Sequence, residues 1–238
     1  MYIRSFFSLL IACFFVHTAS AHALWIETDA TGRKGRSQEV RIYFGEFGEK
    51  DLSQTGKWFS DLAGFSLTAI APDGSKTTLS ATAAGDHYSA TFTPGQDGVY
   101  TLVAHHLVKD VYRNMKLDYN SGATVVVGKQ FNGNDPLVNP NTVSLFSDSA
   151  FAVKKDRSVK LKSLHSGKPA AKEEIKVVAP NGWEKGLYSN AEGEARFTPL
   201  WKGRYLAEYT FTDKTPGEHN GKAYTETRII CTYALQAN

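Results

Sequence analysis

The chain has 238 residues and carries 27 Lys and Arg against 24 Asp and Glu, a formal charge of +3. That near balance excludes the clustered basic excess of a nucleic-acid-binding surface. An apolar content of 42%, with 11 tyrosines and 14 phenylalanines, excludes a disordered chain and suffices for one large β-domain or two small ones.

Residues 1–21 read as an export signal. Arg4 supplies the positive start, residues 6–16 run almost unbroken apolar, and Ala19-Ser20-Ala21 is a small-residue cleavage site. The apolar run is shorter than the roughly 20 residues of a membrane-spanning helix. No later segment reads as a transmembrane span, so a periplasmic location is expected. Leu10-Ile11-Ala12-Cys13 also resembles a lipobox, which makes lipid anchoring at Cys13 the alternative. Cleavage after Ala21 would leave His22 as the first residue of the mature protein. Its α-amine and imidazole would then form a bidentate nitrogen ligand suited to copper, nickel or cobalt.

Beyond residue 22 the pattern is of short runs with period 2, separated by Gly, Pro, Asn and Asp, which predicts an all-β sandwich protein. Strands are expected at 24–28, 39–44, 65–71, 76–80, 87–93, 99–106 and 123–127. Pro72-Asp73-Gly74-Ser75 and the run Pro94 to Gly98 are turns, with Pro fixing φ and Gly supplying positive φ. Residues 110–120 fit neither the strand nor the helix period. Residues 129–148 have many breakers and no period, and read as a connector. Further strands follow at 159–164, 174–179, 195–198, 204–212 and 224–235. The expected organisation is an N-terminal β-sandwich over 22–128, the connector, and a C-terminal module over 149–238. Both modules have the turn grammar of immunoglobulin-like or prealbumin-like sandwiches.

Cys231 is the one cysteine outside the signal, so no internal disulfide or thiolate metal cluster is available to the mature chain. Its β-branched setting, Ile229-Ile230-Cys231-Thr232, marks a small buried hydrophobe.

The histidines carry the chemistry. Strands 87–93 and 99–106 are close enough in sequence to form a hairpin. If Tyr88, Ala90 and Phe92 face the core together with Tyr100, Leu102 and Ala104, then His87 stands opposite His105. Cross-strand partners have Cβ atoms about 4.5–5.5 Å apart, within reach of one metal ion. The expected metal ligands are therefore His22, His87 and His105. His106 points to the other face, and His219 lies in a loop; either, or Glu46, could join the site. His165 lies in a turn and reads as plain surface. Glu46 and Glu49 in Gly-Glu-Phe-Gly-Glu read otherwise as a solvated loop, and Trp58, Trp183 and Trp201 as loop tryptophans. No Gly-x-Ser-x-Gly elbow, phosphate loop or dinucleotide fingerprint is present, so no enzyme is expected.

The segment His22-Ala23-Leu24-Trp25-Ile26-Glu27, followed by a strand ending Tyr43-Phe44-Gly45-Glu46-Phe47-Gly48-Glu49, resembles an exported family catalogued as domain of unknown function 4198. That family is described as similar to periplasmic nickel-transport components of the NikM-like type. Gly167–Pro169, Asn190–Gly193 and Gly203–Tyr205 extend the resemblance over essentially the whole mature chain. The resemblance implies an accessory protein of metal uptake and carries over His22, Trp25 and, less directly, Glu46. The His87/His105 pair owes nothing to it.

The expected function is a periplasmic accessory protein that binds a divalent transition metal (Ni, Co or Cu) and delivers it to a membrane transporter or receives it from an outer-membrane receptor. The alternative is an interaction module contacting a receptor, a glycan or another envelope protein without metal. A copper-dependent polysaccharide oxygenase, which would also use an N-terminal histidine, ranks behind both.

Overall fold

The computed structural model describes residues 22–149 and 153–238; the signal and lipobox readings of residues 1–21 lie outside them. Strands make up 54% of the chain and helix 4%, so the fold is all β, as the period-2 runs require.

Strands β1 (Ala23–Thr28), β2 (Thr31–Gly32), β3 (Gln38–Glu46) and β4 (Asp51–Leu52) open the fold. Two short 3-10 turns, at Thr55–Lys57 and Leu62–Gly64, lead to β5 (Ser66–Ile70), β6 (Lys76–Thr78), β7 (Thr82–Ala83), β8 (His87–Phe92), β9 (Gly98–Leu107) and β10 (Met115–Val127). A third turn at Pro136–Val138 precedes β11 (Val143–Phe146), β12 (Val159–His165), β13 (Lys168–Pro169), β14 (Glu174–Val178), β15 (Glu184–Tyr188) and β16 (Glu194–Phe197). β17 (Gly203–Asp213), β18 (Gly217–His219), β19 (Lys222–Tyr224) and β20 (Glu226–Ala237) complete the chain.

A nine-stranded central sheet joins the two halves, in the order β15-β14-β17-β20-β10-β9-β5-β6, with β2 added beside β10. Its seam is the parallel pairing of β10 with β20, from Met115 opposite Glu226 to Gly122 opposite Tyr233. A five-stranded sheet, β1-β3-β8-β7 with β4 on β3, covers one face. A four-stranded sheet of β11, β12, β13 and β16 covers the other.

The alternation along β20 shows why its sequence is an unbroken apolar run. Ile230 packs into the first core, with Leu24, Ile42, Leu102 and Val125. Its neighbours Ile229, Cys231 and Tyr233 pack into the second, with Leu161, Ile175 and Tyr209. A strand buried on both faces has no polar side to show. Its one polar member there, Thr232, is satisfied: its hydroxyl donates to the Leu24 carbonyl at 2.6 Å and lies 2.9 Å from the Ser121 hydroxyl. A third, smaller cluster of Trp25, Tyr43 and Leu206 packs β1 and β3 onto β17.

Two expectations change. Within the segment read as a connector, residues 143–146 form β11, whose Val143 and Leu145 are buried in the second core. Four residues of alternation after two prolines were too short to register as a strand. Residues 110–120, which fit neither period, contain the start of β10, the longest strand of the fold.

Candidate functional site

β1 pairs antiparallel with β3, placing Ala23 opposite Gly45 and Leu24 opposite Phe44. One step further along that register, His22 faces Glu46. Its Nδ1 lies 3.0 Å from Glu46 Oε1, and the His22 ring stands 5.3 Å from the Phe44 ring. Glu46 is held from its other side by β4, through the pairs Gly45–Leu52 and Glu46–Asp51. That return requires glycine at 45: φ is +153°, and a Cβ there would strike the Asp51 carbonyl. The Gly-Glu dipeptide is thus a structural unit, in which the glycine lets β4 close on the glutamate.

The two side chains differ in solvent access, at 43% for His22 and 12% for Glu46. Glu46 Oε1 is itself buried and receives no hydrogen bond among the described residues. Its approach to His22 is therefore close but not an aligned N–H to oxygen bond. A buried carboxylate oxygen without a donor is costly. Glu208 on β17 feels the Glu46 charge. Burial first pushes its carboxyl above the usual carboxylate range, Lys176 at 3.8 Å opposes that, and Glu46 adds to it.

His22 also forms one wall of a cavity of 340 Å³. Phe44, Phe59, Tyr112 and Tyr119 give it aromatic walls, and Arg228 on β20 reaches its lining. Burial pushes the Tyr119 hydroxyl up to about 12, so it stays protonated as a donor.

His87 and His105 do not meet. β8 pairs with β3, placing His87 opposite Tyr43, whereas β9 pairs with β5 and β10, placing His105 opposite Ser66. The expected β8–β9 hairpin is replaced by a crossing from the five-stranded sheet to the central one. The parity argument was sound for each strand: Ala90, Phe92, Tyr100, Leu102 and Ala104 all enter the first core. They do so from opposing sheets, so Phe92 and Tyr100 touch across the sandwich at 5.6 Å and not side by side. Period 2 fixes which way a side chain faces; it is silent on whether two strands are neighbours or opposites.

Each remaining histidine has its own partner. His87 Nδ1 lies 2.7 Å from Asp86, and its ring is 5.1 Å from Tyr43. His105 Nε2 lies 3.0 Å from Asp118, which raises the His105 pKa from its ordinary value. His106 Nε2 lies 3.0 Å from Asp61, His219 Nε2 lies 3.0 Å from the Val108 carbonyl, and His165 stacks on Phe211 at 4.1 Å. Among the described residues, no three His, Cys, Asp or Glu side chains converge as a metal site would require. Trp25 is 1% exposed, donates to Glu27 at 3.0 Å and stacks on Tyr43, so it fastens the N-terminal strand.

Sequence reading missed Arg228 and Glu208. Each adjoins an apolar run, Glu208 within β17 and Arg228 just before Ile229-Ile230-Cys231 near the start of β20, and that adjacency is the available signal. No protein-family model matches the chain, and no curated protein is detectably similar to it.

Proposed function

We propose that this chain is an exported, non-enzymatic carrier of a divalent transition metal, with nickel, cobalt and copper as the candidate cargoes and a membrane transporter as the recipient. The observation that carries this reading is the approach of the buried, unbonded Glu46 Oε1 to His22 Nδ1 at 3.0 Å. Metal–nitrogen bonds are about 2.0–2.1 Å and metal–oxygen bonds about 2.0–2.2 Å, so two ligands at right angles on one ion stand about 2.9 Å apart. With cleavage after Ala21, the α-amine of His22 would add a third ligand and close a chelate ring with Nδ1. Two nitrogens and one carboxylate suit these ions, and copper binds such a set most tightly among the divalent series. The site keeps His22 from the sequence reading and replaces His87 and His105 with Glu46.

The test is thermal. A ligand that binds only the native state raises Tm with its concentration. Ni(II) or Cu(II) should raise the Tm of the chain beginning at His22 and leave that of its Glu46→Gln variant nearly unchanged. An equal rise in both would remove Glu46 from the site, and no rise in either would end the metal reading.

The rival reading, an interaction module without metal, is favoured by one observation. Trp183 and Trp201, 45% and 36% exposed, stand 5.8 Å apart beside the exposed Leu200 at a cleft of 250 Å³ in the C-terminal half. Exposed paired tryptophans suit contact with a flat partner surface. This reading requires a Tm indifferent to metal.

A further inference from the structure

The cavity beside His22 has a charge pattern that the metal reading does not use. Among the described residues Lys57, Arg113 and Arg228 line it, and no Asp or Glu does. Arg113 is exposed at the rim, with its guanidinium 5.1 Å from the centre of the Tyr112 ring. Lys57 is exposed as well. Arg228 is different. It is half-buried, because β20 directs it to the same face as Ile230, against Leu117 and Tyr119 of β10. Among the described residues the Arg228 side chain has neither an ion pair nor a hydrogen bond. Its charge is felt by Glu208, which pairs instead with Lys176 at 3.8 Å.

A half-buried guanidinium without an ion-pair partner is costly, and its planar fork matches a carboxylate with two parallel hydrogen bonds. The rest of the wall is apolar or aromatic: Phe44, Phe59, Tyr112, Leu117, Tyr119 and Ile230. A flat ring fits such walls by edge and face contacts. The volume of 340 Å³ lies at the small end of organic ligand sites, which run from about 300 to 1,000 Å³. That size suits a single ring with a short acidic substituent.

We propose that this cavity binds a small aromatic carboxylate, with the carboxylate paired to Arg228 and the ring held between the aromatic walls. The binding goes beyond the metal reading and does not need it, because neither Arg228 nor the aromatic walls require an ion at His22. The acid would nonetheless lie along the wall that His22 forms, so an ion there would be its neighbour.

The test is a calorimetric titration of the metal-free mature chain with benzoate and with its neutral isostere benzamide. Saturable one-to-one binding of benzoate is expected, with benzamide weaker by at least about tenfold, as suits a charge-assisted bidentate pair. Arg228→Met should lose benzoate binding by a similar factor and keep its Cu(II) affinity, which separates this proposal from the metal site. Arg113→Gln, at an exposed position, should weaken benzoate severalfold. Equal affinity for benzoate and benzamide, no saturable binding, or an Arg228→Met protein that binds benzoate as the parent does would overturn the proposal, whatever the metal titration shows.

Discussion

His22 Nδ1 and Glu46 Oε1 stand 3.0 Å apart at the end of the β1–β3 ladder, and among the described residues no hydrogen-bond donor reaches that buried oxygen. The register that joins Ala23 to Gly45 makes this meeting unavoidable once β1 and β3 pair. Glu46→Gln keeps the shape and removes the charge. It should weaken Cu(II) and Ni(II) binding by about tenfold or more, roughly 1.4 kcal/mol, in a calorimetric titration.

His87 and His105 belong to different sheets and hold Asp86 and Asp118. His87→Gln and His105→Gln, singly and together, should leave metal affinity within about twofold of the parent, a change near 0.4 kcal/mol. A large loss from either would restore the three-histidine site.

Much of this was legible beforehand. Most strands from 24 onward and the burial of Cys231 in β20 follow from period and turns, whereas β11 and the first part of β10 do not. Nor does the pairing of strands. The hairpin reading sets Phe92 beside Tyr100 in one sheet, whereas they touch across the first core. A loop of a few residues permits either outcome, and what decides is whether β3 or β9 offers β8 the better edge. That choice is made by residues far away in sequence. Arg228 was hidden for a related reason: it reads as an ordinary strand-end charge until β10 lies beside β20 and closes the aromatic cavity over it.

Gly45 is the hinge of the site. Its φ of +153° and the nearness of the Asp51 carbonyl leave no room for a side chain. Gly45→Ala should destabilise the protein by about 1–3 kcal/mol in urea unfolding, the scale of one strained backbone position. It should also lower metal affinity, because β4 no longer fixes Glu46. Stability equal to the parent's would show that β4 does not close on Gly45 as described.

The His105–Asp118 pair sets a pH dependence. Asp118 raises the His105 pKa above its ordinary 6.5, against the opposing effect of burial. A raised folded-state pKa means that the pair's contribution is fully present below pH 6.5 and fades as pH rises through the elevated midpoint. The contribution is modest, because the imidazole is 43% exposed and solvent screens it. Proton NMR should place the His105 midpoint above 6.5, and Asp118→Asn should lower it; an unchanged midpoint in the variant would contradict the pairing.

Cys231 is 1% exposed in the second core, and burial pushes its thiol up to about 12. The thiolate is the reactive form, so the native protein should resist a thiol-specific disulfide reagent. One equivalent should react on unfolding in urea. Prompt labelling of the folded chain would place Cys231 outside the core.

The central claim is that the metal is held by the terminus of the mature chain together with Glu46. The most direct measurement is a calorimetric titration of Cu(II) and Ni(II) into protein beginning at His22, beside the same protein with its His22 α-amine acetylated. The account predicts one-to-one binding for the first and a loss of at least about a hundredfold, near 2.7 kcal/mol, for the second, which no longer has the amine in the chelate. Equal affinity in the two proteins would contradict it.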